Sequence, residues 1–173
     1  GVVINDESLL HYSARNGLQN IVKLVLDKAY LFSEPNKNGD TPLMLALDNN
    51  HLEVARSLLN KMDNIDRIDQ YGRTLLNTAS ACERSDIVQM LLDKNCDVYS
   101  RDKGGRTALM GAIESENVQI VKMLLNKMDN VDQADKQGYT AMHYAAMHGL
   151  LGIVALLLTK TKLVDVQNKK GLT

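Results

Sequence analysis

Four histidines, two cysteines and one glycine-flanked basic cluster are the residues in which reaction chemistry or metal binding could reside. Metal-assisted hydrolysis favours two histidines four apart on one helix face, whereas His143 and His148 are five apart and point to different faces. Cys82 and Cys96 have no CxxC spacing and no histidine at metal-ligand spacing, so both are read as thiols without a metal role. Lys103-Gly104-Gly105-Arg106 lacks the pattern of a phosphate-cradling loop. A catalytic reading needs a nucleophile, a base and an orienting group brought together. No such set is evident, so the expectation is a protein that is not an enzyme, with no catalytic residue, no metal and no cofactor.

Composition narrows the remaining classes. Hydrophobic residues make up 45% of the 173 and charged residues 24%, which is ordinary for a soluble protein. A formal net charge of -1 gives no global field that would draw nucleic acid or an anionic membrane, so neither is expected as a partner. The basic residues near the end, Lys160, Lys162, Lys169 and Lys170, read as a solvated rim. The longest apolar run, Leu150 to Leu158, is interrupted by Gly152 and falls short of the ~18 residues that suggest a membrane span. Gly1-Val2-Val3-Ile4 has no basic segment before it and is too short for a signal peptide. Two cysteines outside any pairing motif suit a reducing compartment, hence the cytoplasm or nucleus, or a host cytosol if the source is an intracellular bacterium.

The elements that position these residues repeat. Gly39-Asp40-Thr41 returns as Gly72-Arg73-Thr74, Gly105-Arg106-Thr107, Gly138-Tyr139-Thr140 and Gly171-Leu172-Thr173, each threonine 33 residues after the last, and Ser8 lies one period before Thr41. Each threonine is placed to cap a helix, and Pro42 follows one of them at the first helical position. Apolar residues two, five and six places on then mark one buried face: Leu43, Ala46 and Leu47; Leu76, Ala79 and Ser80; Leu109, Ala112 and Ile113; Met142, Ala145 and Ala146. The middle position is Ala, or Ser13 in the first repeat, which lets neighbouring helices approach closely. These helices end near Gly17, Asn50, Glu83, Glu116 and Gly149, and the two glutamates are the less comfortable in a left-handed turn.

A second helix follows with apolar residues at i, i+1, i+4 and i+5, from Ile21, Val22, Val25 and Leu26 to Ile153, Val154, Leu157 and Leu158. So wide a stripe is expected to be buried on both sides. Lys28, Lys61, Lys94, Lys127 and Lys160 hold one position after it, where positive charge favours a helix C-terminus. Asn36, Asp69, Asp102, Asp135 and Asn168 each stand three residues before a repeat's glycine, the signature of a type I turn closed at positive φ.

A period of 33 with this punctuation resembles the ankyrin repeat. The resemblance covers essentially the whole chain and holds its register without insertion. The family's Thr-Pro-Leu-His tetrapeptide is nowhere complete, and Thr74-Leu75-Leu76-Asn77 departs furthest. The expected fold is an all-α solenoid of stacked helix-turn-helix units joined by hairpin-like fingers. It would form a single array over 1–173 with repeats at 6–38, 39–71, 72–104, 105–137 and 138–170, and 171–173 opening a sixth. The stop on a capping residue makes the chain read as a fragment of a longer protein. Met62 and Met128 occupy a position where the family usually has Gly, so a neighbouring Asn is expected to take the left-handed conformation.

The resemblance also implies a function. Ankyrin repeats bind partner proteins on a concave face made of fingers and inner helices, touching the residue before each cap, the finger tips and the end of the inner helix. On this chain those places hold Glu7, Asp40, Arg73, Arg106 and Tyr139 before the caps, Tyr71 at a tip, and Asp48, Glu114, Met147 and His148 at helix ends. Tyr71, Arg73, Arg106 and Tyr139 are the central expectation, with an acidic partner group near the arginines. The family uses a histidine at the place of His11 and His143 to bond finger to helix. Two other readings stay open. The chain could be the regulatory or targeting arm of a larger enzyme, channel or bacterial effector. It could also self-associate weakly through an open C-terminal end where Ile153, Val154 and Leu157 lack cover.

Overall fold

In a computed structural model of the protein, residues 3–4, 7–28, 33–62, 64–161 and 163–173 are described, with backbone only at Val3, Ile4 and Glu7. Lys162 and the Glu7 side chain, both singled out above, lie outside the described residues. The architecture is all-α, with ten helices in five antiparallel-type pairs among the described residues. Contacts divide the chain into two compact units, Gly1–Tyr71 and Gly72–Thr173.

The first unit opens with a short antiparallel pair, β1 (Val3–Ile4) and β2 (Glu7–Ser8), in which Val3 faces Ser8. It continues with α1 (Leu9–Arg15), α2 (Gln19–Leu26), α3 (Pro42–Asp48) and α4 (Leu52–Lys61). Inner helix α1 packs on α3 and outer helix α2 on α4. The second unit holds α5 (Leu75–Ala81), α6 (Ser85–Asp93), α7 (Ala108–Glu114), α8 (Val118–Lys127), α9 (Ala141–Met147) and α10 (Leu151–Leu158). There α5, α7 and α9 form the inner row and α6, α8 and α10 the outer row.

Local chemistry starts every inner helix in one way. The hydroxyl at the cap accepts an N–H from the first turn: Ser8 from His11 at 3.3 Å, Thr41 from Met44 at 3.2 Å, Thr107 from Met110 at 3.4 Å and Thr140 from His143 at 3.5 Å. The third repeat, which departs furthest from the family tetrapeptide, compensates at this point. Asn77 Oδ1 accepts from the Thr74 N–H at 2.8 Å while Thr74 Oγ1 accepts from the Asn77 N–H, a reciprocal capping box.

Each inner helix ends on a residue at positive φ: Gly17 at 67°, Asn50 at 62°, Glu83 at 59°, Glu116 at 57° and Gly149 at 66°. The next N–H then returns to the carbonyl of the small middle residue, as Arg84 to Ala79 at 2.9 Å and Asn117 to Ala112 at 3.0 Å. Glycine is required at the first of these turns for a second reason. The His51 ring lies 2.5 Å from where a Gly17 Cβ would stand, held there by a 3.0 Å bond between its Nε2 and the Arg15 carbonyl.

Several expectations need correction. The wide outer-helix stripe is fully buried from Val54 to Leu125, but Ile21 is 37% exposed in α2 and Leu158 47% exposed in α10. Ala146 is exposed and Met142 half-buried, and both line an open cavity of about 240 Å³ with Leu163 and Val164. Ile153 and Leu157, expected to lack cover, are each 1% exposed because α10 turns them onto α8 and α9. Among the described residues, no Asn beside Met128 goes left-handed. Both methionines leave their helices in extended conformation with buried side chains, while Asn64 and Asn130 accept N–H groups two residues on. In the third repeat that same position is Asn95, and it does adopt a φ of 57°.

The lysine at the outer-helix end behaves as helix electrostatics demands, though partly through a neighbour. Lys160 Nζ donates to the Met128 carbonyl at the end of α8 at 3.2 Å, and Lys61 stands 3.9 Å from Asp27 at the end of α2.

A glutamate in the left-handed region costs roughly 1–2 kcal/mol that glycine does not incur, offset in part by glycine's larger unfolded-state entropy. Glu83→Gly and Glu116→Gly are each expected to raise stability by about 1 kcal/mol. The measure is the urea midpoint at unchanged slope; an unmoved midpoint would mean that these turns carry no strain.

Candidate functional site

The face to consider is built from the fingers that precede each cap and the inner helices that follow. In every finger the Asx side chain turns inward and ties the loop. Asp102 Oδ1 accepts from the Gly104 and Arg106 N–H groups, both at 2.8 Å, and Asp135 Oδ1 from those of Gln137 and Tyr139, both at 2.9 Å. The loop then closes on itself, with Gly105 N–H donating to the Asp102 carbonyl and Asp102 N–H to the Arg106 carbonyl. Asn36 in the first unit and Asn168 in the second do the same with an amide oxygen.

On this frame the second unit assembles a connected polar and aromatic set. Arg106 forms an ion pair with Glu114, from the finger and from the end of α7 respectively. Its guanidinium also lies over the Tyr144 ring, 5.6 Å from the centroid. The Tyr144 hydroxyl donates to Asp135 Oδ2 at 2.9 Å, so one carboxylate holds both its own finger and the neighbouring inner helix. Tyr139 packs edge-on to His143 at 5.6 Å and against Tyr144 at 6.0 Å.

His143 is fixed from both sides. Its Nδ1 accepts from the Thr140 N–H at 3.1 Å, which leaves the proton on Nε2, and that nitrogen donates to the Leu172 carbonyl at 3.1 Å. This is the finger-to-helix role that the family resemblance implies for that position.

The electrostatics follow from these contacts. Burial works against the Arg106 charge, but the hydrogen bond and charge of Glu114 outweigh it and hold the pKa above the ordinary guanidinium value. Burial, reinforced by the hydrogen bond to Asp135, pushes the Tyr144 hydroxyl up to about 12 against the opposing pull of Arg106.

Of the residues singled out in the sequence, the second unit brings together Arg106, Glu114 and Tyr139 around Tyr144. Met147, at the end of α9, is 66% exposed, and His148 Nδ1 lies 3.6 Å from Glu116. Arg73 is half-buried before its cap. In the first unit Asp40 is half-buried, Asp48 is exposed at the end of α3, and Tyr71 is 55% exposed at a finger tip. The sequence reading missed Tyr144 and Asp135 as members of the set. Tyr144 sits where the three preceding repeats have Leu45, Thr78 and Gly111 and the first has Tyr12, and the return of an aromatic at that position was the available signal.

No group of three or more His, Cys, Asp or Glu side chains is placed to hold a metal ion among the described residues. No helix among them is long and apolar enough to cross a membrane. Paired inner and outer helices joined by tied fingers define a repeat fold of the interaction type. The profile of the family described as Ankyrin repeats (3 copies) matches residues 10–102 and again 95–169, and the chain belongs to that family. Ankyrin repeats are in general protein-protein interaction modules. No curated protein matches the chain.

The raised Tyr144 pKa gives a direct check. Between pH 10 and about 12 the unfolded chain has released a proton that the folded one still holds, so the stability this group contributes, complete and constant below pH 10, is lost through that window. In an alkaline absorbance titration, Tyr144→Phe is expected to remove a phenol ionisation near pH 12 while the protein stays folded. If the high-pH step survives that substitution, the Tyr144–Asp135 bond does not form in solution.

Proposed function

We propose that this chain binds a segment of another protein through its finger and inner-helix face, with Arg73, Arg106, Glu114, Tyr139, Met147 and His148 as the binding residues of the second unit. Asp40, Asp48 and Tyr71 are the corresponding residues of the first. The single observation that carries the reading is the exposed Met147, three residues after Tyr144 on α9, on the helix whose Tyr144 is held by Arg106 and Asp135. Side chains ordered before binding lose little entropy on association, and an exposed thioether on the same helix offers a soft apolar anchor.

The ion pair refines the role of the arginines. Arg106 is satisfied by Glu114, so its contribution is to brace the face, and an incoming carboxylate reaches it only by exchanging with Glu114. Self-association has no comparable support, because two of the three residues on which it rested, Ile153 and Leu157, are covered and Val154 is half-buried. Cysteines that form no disulfide support a reducing, cytoplasmic or nuclear setting for this interaction.

The test compares retention of proteins from cell lysates by the parent and by a Tyr139→Ala, Met147→Ala variant. Partners retained by the parent and lost by the variant are the expected outcome. With an identified partner, Tyr139→Ala is expected to cost about 1–2 kcal/mol of binding. Equal retention by both would move binding off this face.

A further inference from the structure

The finger tips of the second unit share a feature that their binding residues do not explain. Lys103, Lys136 and Lys169 occupy one position 33 residues apart, each directly after its turn's Asx, and Lys170 follows the last of them. All four are exposed. No ion pair engages any of them among the described residues. The acids nearest Lys103 and Lys136 in sequence, Asp102 and Asp135, are turned inward and spread their charge over the backbone N–H groups and, for Asp135, the Tyr144 hydroxyl that they accept, while the acid nearest Lys169 and Lys170, the exposed Asp165, lies outside the tip. The outward charge of these tips is therefore positive, in a chain whose net charge is -1.

The row is also rigid. The Lys136 N–H donates to the Gly104 carbonyl at 2.9 Å and the Lys169 N–H to the Gln137 carbonyl at 3.0 Å, so successive tips are laced together through the lysines' own backbone. Close approach at the glycines makes the lacing possible. A Cβ on Gly105 would stand 3.0 Å from the Lys136 nitrogen, and one on Gly138 2.9 Å from the Lys169 nitrogen. A fixed row of like charges with little local compensation keeps its potential until something negative is laid along it.

We infer that the Lys103–Lys136–Lys169–Lys170 ridge is a docking surface for an extended acidic segment of a partner protein, its carboxylates on the lysines. This deepens the reading above, on which it rests for the class of partner, and it assigns the charged contact to the tips because Arg106 is already paired. Protein is favoured over nucleic acid by what flanks the ridge. Tyr139 and Tyr144 are half-buried and pack on one another, leaving no open platform for a base.

The experiment titrates the whole chain into a fluorescently labelled poly-glutamate peptide, its poly-glutamine counterpart and a single-stranded DNA of matched charge, read by anisotropy. Poly-glutamate carries no apolar anchor, so its binding reports the ridge alone and leaves the Met147 face to the retention test. The parent is expected to bind poly-glutamate and not poly-glutamine, weakening about tenfold between about 50 and 200 mM salt. A Lys103→Gln, Lys136→Gln, Lys169→Gln variant, checked by circular dichroism for an unchanged helix content, is expected to lose about tenfold at low salt. Equal affinity of parent and variant overturns the proposal, as does a failure of the parent to bind. Tighter binding of the DNA than of the peptide overturns it in favour of nucleic acid.

Discussion

The rest of the structure depends on one inward-turned acceptor per repeat, the Asx side chain at the start of each finger. Asp69, Asp135 and Asn168 are nearly inaccessible to solvent, yet each accepts N–H groups from its own loop, so the desolvation cost of the polar group is met by the turn it creates. Once the finger is tied, the glycine at its far side takes positive φ, the next residue enters extended backbone, and the capping hydroxyl arrives at the helix start. A loop without that acceptor would leave the buried N–H groups of two residues with no partner, and the helix after it would have no fixed entry.

The second constraint is the small residue in the middle of each inner helix. Ser13, Ala46, Ala79, Ala112 and Ala145 are all fully buried. Each also supplies the carbonyl to which the chain returns after the left-handed turn. One position thus sets both how closely inner helices approach and how the outer helix is launched. Larger side chains there would separate the inner helices within each unit, and the buried outer-helix residues of that unit could not stay sealed.

Periodicity made the frame legible in the sequence, because caps, turn residues and stripe positions are each defined within one repeat. Glu83 and Glu116 show how far that goes: the need for positive φ was readable from their position, and the structure has both there. What the sequence left hidden depends on facing between neighbours. Ile153 and Leu157 carry the same pattern as Leu158, and only the packing of α10 on α8 and α9 decides that the first two are covered and the third is not. Asn64 and Asn130 each accept an N–H two residues on while Met62 and Met128 turn inward, an arrangement that no pattern within one repeat announces. The Arg106, Tyr144 and Asp135 set joins the fourth finger, the fifth finger and α9, a combination that no single-repeat pattern contains.

The Arg106–Glu114 pair changes what charge on the inner-helix face can contribute to recognition. An unpaired arginine at a rim would gain a new contact with any acidic group that approached. Here a partner carboxylate must replace Glu114, and the exchange trades one ion pair for another of the same chemistry in the same half-exposed place. Such an exchange adds little affinity, since the displaced Glu114 must itself be solvated again, but it penalises a partner that presents an apolar or cationic group there. Net attraction has to come from cations with no internal acid to displace, and in the second unit the finger-tip lysines meet that condition. Selectivity and attraction are on this account separated in space, the first on the inner-helix side of the finger and the second at its tip.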